Sequence, residues 1–149
     1  MKALVFNYVY LVNAFNINSL SKENNKSIST EVVEFTIDQQ GFLRITMLDT
    51  KAKFDLKEAK KQVKVVGQLT NDRKFLALVD MRKSYTVPTI EAKKHIASLD
   101  KKIAEAIIIN SLGNRIIGNL YLKLINNRYP SKLFSDEDKA IGWLLSHKK

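Results

Sequence analysis

From residue 31 onward the apolar positions switch between a two-residue and a helical period, and the switches divide the chain into short strands and amphipathic helices. EVVEFTID (31–38) and FLRITML (42–48) alternate apolar with polar residues, and QQG between them supplies a turn, so the pair predicts an antiparallel hairpin. After Phe54, Asp55 and Glu58 stand at capping-box spacing. Leu56, Ala59, Val63, Val66 and Leu69 then form one stripe, which predicts a helix over 56–69 with Lys57, Lys60, Lys61 and Lys64 toward water. Asn71 and Asp72 break that helix. KFLALVD (74–80) is apolar at both parities, the pattern of a central strand covered on both faces.

A second helix near 90–99 needs a cap from Thr86 or Thr89, with Pro88 suited to an extended entry or a first turn. EAIIIN (105–110) predicts another buried strand. Ser111 can cap a third helix over 112–126, where Leu112, Ile116, Leu120 and Leu124 form one ridge beside Ile117, Tyr121 and Ile125. Gly113 and Gly118 allow close approach on that helix, and Tyr129-Pro130 stops it. Leu133 and Phe134 fit a short edge strand. Ser135 with Asp138 then opens a last helix whose buried side is marked by Ala140, Ile141, Trp143, Leu144 and Leu145. The order is β-β-α-β-α-β-α-β-α. Right-handed crossovers between its parallel strands give an α/β domain: a mixed sheet of about five strands, beginning with the hairpin, and about four helices.

The first thirty residues are of another kind. Lys2 precedes the apolar run ALVFNYVYLVNAF (3–15), interrupted by Asn7 and Asn13, and a polar stretch rich in Ser, Asn and Lys follows to Thr30. The run falls short of the roughly 18 apolar residues a membrane span needs, and no small-residue cleavage pattern follows it. The expected organisation is an N-terminal segment and linker over 1–30 and one domain over 31–149. Cytoplasmic residence is expected, with export or membrane attachment through residues 1–17 as the alternative.

At 149 residues the chain has the size of a single domain with one continuous core. Cysteine is absent, which removes disulfides, thiolate metal sites and cysteine nucleophiles. Lys and Arg number 25 against 15 Asp and Glu, a net charge of +10 that would attract phosphates, anionic lipid or an acidic partner. The basic residues come as scattered pairs such as Lys60-Lys61 and Lys93-Lys94 with acids between them, so solvated helix faces are expected and nucleic acid is not. The two histidines, His95 and His147, assemble neither a metal cluster nor a nucleophile-base set, and Gly113 and Gly118 match no nucleotide-binding spacing. No catalytic residue, metal ligand or cofactor is expected, and the protein is expected not to be an enzyme.

The order of elements, the strand LALVDMR (76–82), the strand IIINS before a long apolar helix and the ending KLFSDEDKAIGWL (132–144) resemble small SpoIIAA-like proteins of the STAS superfamily, in particular the bacterial STAS-like or STAS/SEC14-like domains. The resemblance covers about residues 31–147 and implies a regulatory, protein-binding domain. It also implies that a phosphorylated hydroxyl would lie after the third strand of the fold, in RKSYTVPT, where Ser84, Thr86 and Thr89 stand; the acidic-Ser-Ser-Gly pattern of those proteins is absent here. Its SEC14 side implies a pocket for a lipid-like or apolar ligand.

Elementary electrostatics gives the same loop a separate interest. The C-terminal end of a central strand, beside a helix N-terminus with free amides, favours anions, and Arg82 and Lys83 would add to it. The structural alternative is that Asp80 and the threonines serve turn and cap amides while Arg82 pairs with a neighbouring acid. Asp80, Arg82 and Lys83 are thus the expected contacts for an unidentified protein partner, with a second copy of the chain, a lipid-like ligand and a membrane surface as further candidates.

Overall fold

The computed structural model describes residues 26–125 and 128–149; the expectations for the run over 3–15 lie outside them. Six strands form one sheet: β1 (Ser27–Ser29), β2 (Val33–Ile37), β3 (Leu43–Met47), β4 (Phe75–Asp80), β5 (Lys102–Ile108) and β6 (Ser131–Phe134). Four helices accompany it: α1 (Leu56–Thr70), α2 (Ile90–Ala97), α3 (Leu112–Ile125) and α4 (Glu137–Leu145). The strands lie in chain order across the sheet. β1 to β3 are antiparallel, and β3 to β6 are parallel. The mixed α/β sheet read from the sequence is therefore present, with one more strand. That strand is Ser27–Ser29, in the stretch read as linker, which pairs with Thr36, Phe35 and Glu34 at the edge. It is only three residues long, with Ile28 alone between two serines, too short an alternation to read as a strand.

Asp38 closes the hairpin between β2 and β3. Its carboxylate accepts from the Gln40 and Phe42 amides, and Gly41 takes a φ of 84°, which suits a residue without a Cβ. From β3 to β5 each strand is followed by a helix and then by its parallel neighbour. Because these crossovers run in one direction across the sheet, α1, α2 and α3 all cover the same face. Ala59, Val66, Ala92 and Ile117 pack there on Phe35, Leu43, Ala77 and Ile107. α4 covers the opposite face, where Ala140 and Leu144 meet Leu76, Leu78, Ala106 and Ile108. β4 divides its side chains between these two layers, as its double-parity pattern requires, and it lies between β3 and β5 in the interior of the sheet.

Helix starts follow the caps with two changes. Asp55 accepts from the Glu58 amide, but the Glu58 carboxylate accepts from Gln62 Nε2 within the helix rather than closing the capping box. The last helix is capped by Asp136, not Ser135: Asp136 has extended backbone and accepts from the Lys139 amide at 2.9 Å. Thr89 caps α2, and Ser111 accepts from the Asn114 amide at the start of α3. α2 stops at Ala97, two residues short of the expected end, where the Ser98 hydroxyl donates to the His95 carbonyl. Leu145, expected on the buried side of α4, is exposed.

Candidate functional site

The rim of the sheet at the end of β4 is built by charge pairing and capping. Arg82 donates to both oxygens of Asp80, Nε to Oδ1 at 3.0 Å and Nη2 to Oδ2 at 2.6 Å, and its Nη2 also reaches Glu137 Oε2 at 2.8 Å. Glu137, in the first turn of α4, accepts from Arg44 of β3 as well. Burial pushes the Asp80 carboxyl up, but hydrogen bonds from the Arg82 side chain and amide and the charges of Arg82 and Arg44 outweigh it and hold the group below its usual value. The hydrogen bond from Arg44 is the main cause lowering Glu137, and Arg82 reinforces it. The Asp80 hydrogen bond raises the Arg82 pKa further above its already high value.

This arrangement follows the structural alternative read from the sequence. Asp80 also accepts from the Arg82 amide, a two-residue turn that starts the loop. Ser84 is only 2% exposed; its hydroxyl accepts from the Thr86 amide, and its carbonyl accepts from the buried Asn114 side chain of α3 at 2.8 Å. Thr86 is half-buried. Thr89 is exposed, and its hydroxyl accepts from the Ala92 amide as the cap of α2. Lys83 projects into solvent. The rim thus brings Asp80 and Arg82 together with Arg44 and Glu137, two residues that the sequence reading did not connect to it. It separates Lys83 and Thr89 from that network.

The same loop and the first residue of α2 present apolar side chains outward. Tyr85, Val87 and Ile90 each expose more than half of their surface. The Tyr85 ring stands over Gly113, where a Cβ would lie 3.5 Å from Cε1, so the loop leans on the first turn of α3. Along α3 the ridge expected from spacing faces out: Leu112, Ile116 and Leu120 are 73%, 54% and 50% exposed, while Ile117, Tyr121 and Ile125 pack inward. Single exposed apolar side chains are ordinary, but an ordered row on one helix beside three more in the adjoining loop and the start of α2 is not.

Beneath the sheet face that carries α1 to α3 lies a polar cluster that the sequence reading missed. Lys102 Nζ donates to Glu105 Oε1 at 2.5 Å, and the Tyr121 and Tyr129 hydroxyls lie 2.8 Å apart beside them. Nζ is 3.3 Å from the Tyr129 hydroxyl. Lys102 and Glu105 are both buried. Burial alone would lower the Lys102 pKa, but the Glu105 charge and the hydrogen bonds raise it; burial raises that of Tyr121 well above its usual value and raises that of Tyr129 as well. Glu105 was legible as the one charged residue in phase with Ile107 and Ile109 on a strand otherwise buried. Among the described residues no three His, Cys, Asp or Glu side chains gather as a metal site, and no helix is long and apolar enough to cross a membrane.

A solved structure of an uncharacterised DUF3478-family protein from Shewanella loihica PV-4, with a SpoIIAA-like fold, is similar to this chain. The TM-score is 0.54 at 14% identity, covering 78% of this chain and 98% of that one. This likeness shows the fold alone, and it is the fold implied by the sequence resemblance. A protein of unknown function from Arthrobacter sp. FB24 aligns at 24% identity over 74% of this chain and 97% of that one, with a TM-score of 0.27. No curated protein matches the chain. A family model matches residues 35–148, which take in the four parallel strands β3 to β6 and all four helices, and the chain belongs to that family, described as Domain of unknown function (DUF7793).

Proposed function

We propose that the protein is a non-enzymatic interaction domain that docks an acidic protein partner through the outer ridge of α3 and the loop over 80–89. The carrying observation is the row Leu112, Ile116 and Leu120, exposed on a helix whose other face is anchored in the core. Such an i, i+4 row is the surface that fits a groove of a facing helix. Burying the half or more of each side chain that is now exposed contributes on the order of 1–2 kcal/mol.

Charge selects the partner. Between Met81 and Ile90, and again between Ala106 and Ser135, the chain has no Asp or Glu, whereas Lys83, Arg115, Lys123, Arg128 and Lys132 all lie there. An apolar ridge rimmed by basic residues complements an apolar strip rimmed by acids. A second copy docked by the same face would oppose like charges. The ridge holds no Trp or Phe of the kind that anchors a helix in a lipid interface. Arg82 supports the surface from within, through Asp80 and Glu137, and Lys83 is the loop's outward charge.

A photoreactive residue at position 116 in the full chain, with a control at position 57 on α1, tests the reading in cells. The expected result is an acidic protein crosslinked from 116 and not from 57, whose purified form binds the wild-type chain with an affinity that falls as salt rises. Crosslinks only to a second copy, capture of vesicles without a protein, or equal capture from both positions would overturn it.

A further inference from the structure

Between the sheet and helices α1, α2 and α3 lies a cavity of about 100 Å³, independent of the outer ridge. Its walls are Phe35, Met47, Val79, Ile107 and Ile117, and Thr86 and Pro88 of the rim loop border it. One part is polar: Lys102, Glu105 and Tyr121 also line it. The scale approaches that of engineered apolar cavities of about 150 Å³, which accept benzene.

The polar part is unevenly satisfied. Glu105 Oε1 receives Lys102 Nζ at 2.5 Å and faces the Tyr121 hydroxyl at 3.4 Å, whereas Glu105 Oε2, equally buried, has no hydrogen-bond partner among the described residues. Buried carboxylate oxygens are ordinarily paired, so this one marks a place for a donor. The donor must be neutral. Lys102 already balances the Glu105 charge, so an ammonium would bury a second positive charge, and a carboxylate would face Glu105. Lys102 Nζ is directed to Glu105, Tyr129 and Tyr121, so no free donor is left for a ligand that also needs its own acceptor served, such as an amide.

We infer that this cavity is a binding site for a small neutral molecule with an apolar body and one hydroxyl, of the phenol or short alcohol class, whose O–H donates to Glu105 Oε2 while its body lies against Val79, Ile107 and Ile117. The ring of a phenol matches the cavity's scale, and its hydroxyl supplies the missing donor without changing the charge of the cluster.

Phenol and toluene, nearly equal in shape, separate the hydroxyl from the apolar body. Methyl spectra of the isotopically labelled full chain, followed at Met47, Met81, Ile107 and Ile117, are expected to shift saturably with phenol, at an affinity about tenfold or more above that for toluene. The double variant Lys102→Met with Glu105→Leu is expected to abolish or reverse that preference, and Val79→Phe to remove both ligands by filling the space. Toluene binding as well as phenol, shifts that never saturate, or shifts confined to α3's outer ridge would overturn the inference. Should a variant fail to fold, the wild-type ratio of the two affinities decides it.

Discussion

Lys102 and Glu105 face each other across 2.5 Å although they stand three apart on one strand, a spacing that puts side chains on opposite faces of regular β-structure. A register shift reconciles the two. Phe75 pairs with Lys102, but the next residue, Leu76, pairs with Ala104, so Ile103 is an extra residue in β5 and both charged side chains point to the face that carries α3. The bulge thereby creates the buried pair.

A buried pair broken on one side leaves a charge without compensation. Lys102→Met is expected to destabilise the fold by about 3–5 kcal/mol, whereas Lys102→Met with Glu105→Leu recovers a large part of that loss. Urea denaturation of wild type, single and double variants measures it. A double variant less stable than the single would contradict the pairing.

Asn114 fixes the rim loop to α3 through its bond to the Ser84 carbonyl. Asn114→Ala is expected to cost about 1–3 kcal/mol by leaving that carbonyl unserved. It should also speed hydrogen exchange at the Ser84 and Thr86 amides, which donate to the Met81 carbonyl and the Ser84 hydroxyl within the loop. Unchanged exchange at both amides would show that the loop is held in another way.

Asp80 and Glu137 have folded-state pKa values below their usual 3.8 and 4.5. The unfolded chain therefore binds protons first as pH falls. The stability these carboxylates contribute is fully present above pH 4.5 and is lost as pH falls below that value and through their folded pKa values. Glu137→Gln removes part of this dependence, so the stability gap between wild type and Glu137→Gln should narrow from pH 6 to pH 3, on roughly the scale set by the usual carboxylate range. Denaturation curves at the two pH values check it, and a gap that widens in acid would contradict the sign.

The layering was legible because burial imposes period on sequence. Leu76, Ala77 and Leu78 are apolar at both parities and lie in the interior of the sheet, and Ala59 and Val66 on the stripe of α1 are buried as spaced. Ser27–Ser29 was not legible, since a three-residue edge strand with Ile28 as its one inward position leaves no period to mark it. Arg82 could be expected to find an acid, but not that Glu137, 55 residues on, would share it with Arg44. The α3 ridge was read correctly as a row, yet spacing alone does not tell which of two apolar rows turns inward. Leu112, Ile116 and Leu120 lost that choice to Ile117, Tyr121 and Ile125, where Tyr121 carries the hydroxyl that the buried cluster uses. The Lys102 pairing stayed hidden because it depends on a bulge at Ile103, which no period reports.

The affinity of the acidic partner captured at position 116 for wild type, Ile116→Glu and Lys57→Glu tests the docking surface most directly. A loss of about tenfold or more for Ile116→Glu with a change within about twofold for Lys57→Glu is predicted, since only the first places a charge on the apolar ridge. Equal affinities for the two variants would contradict docking through α3.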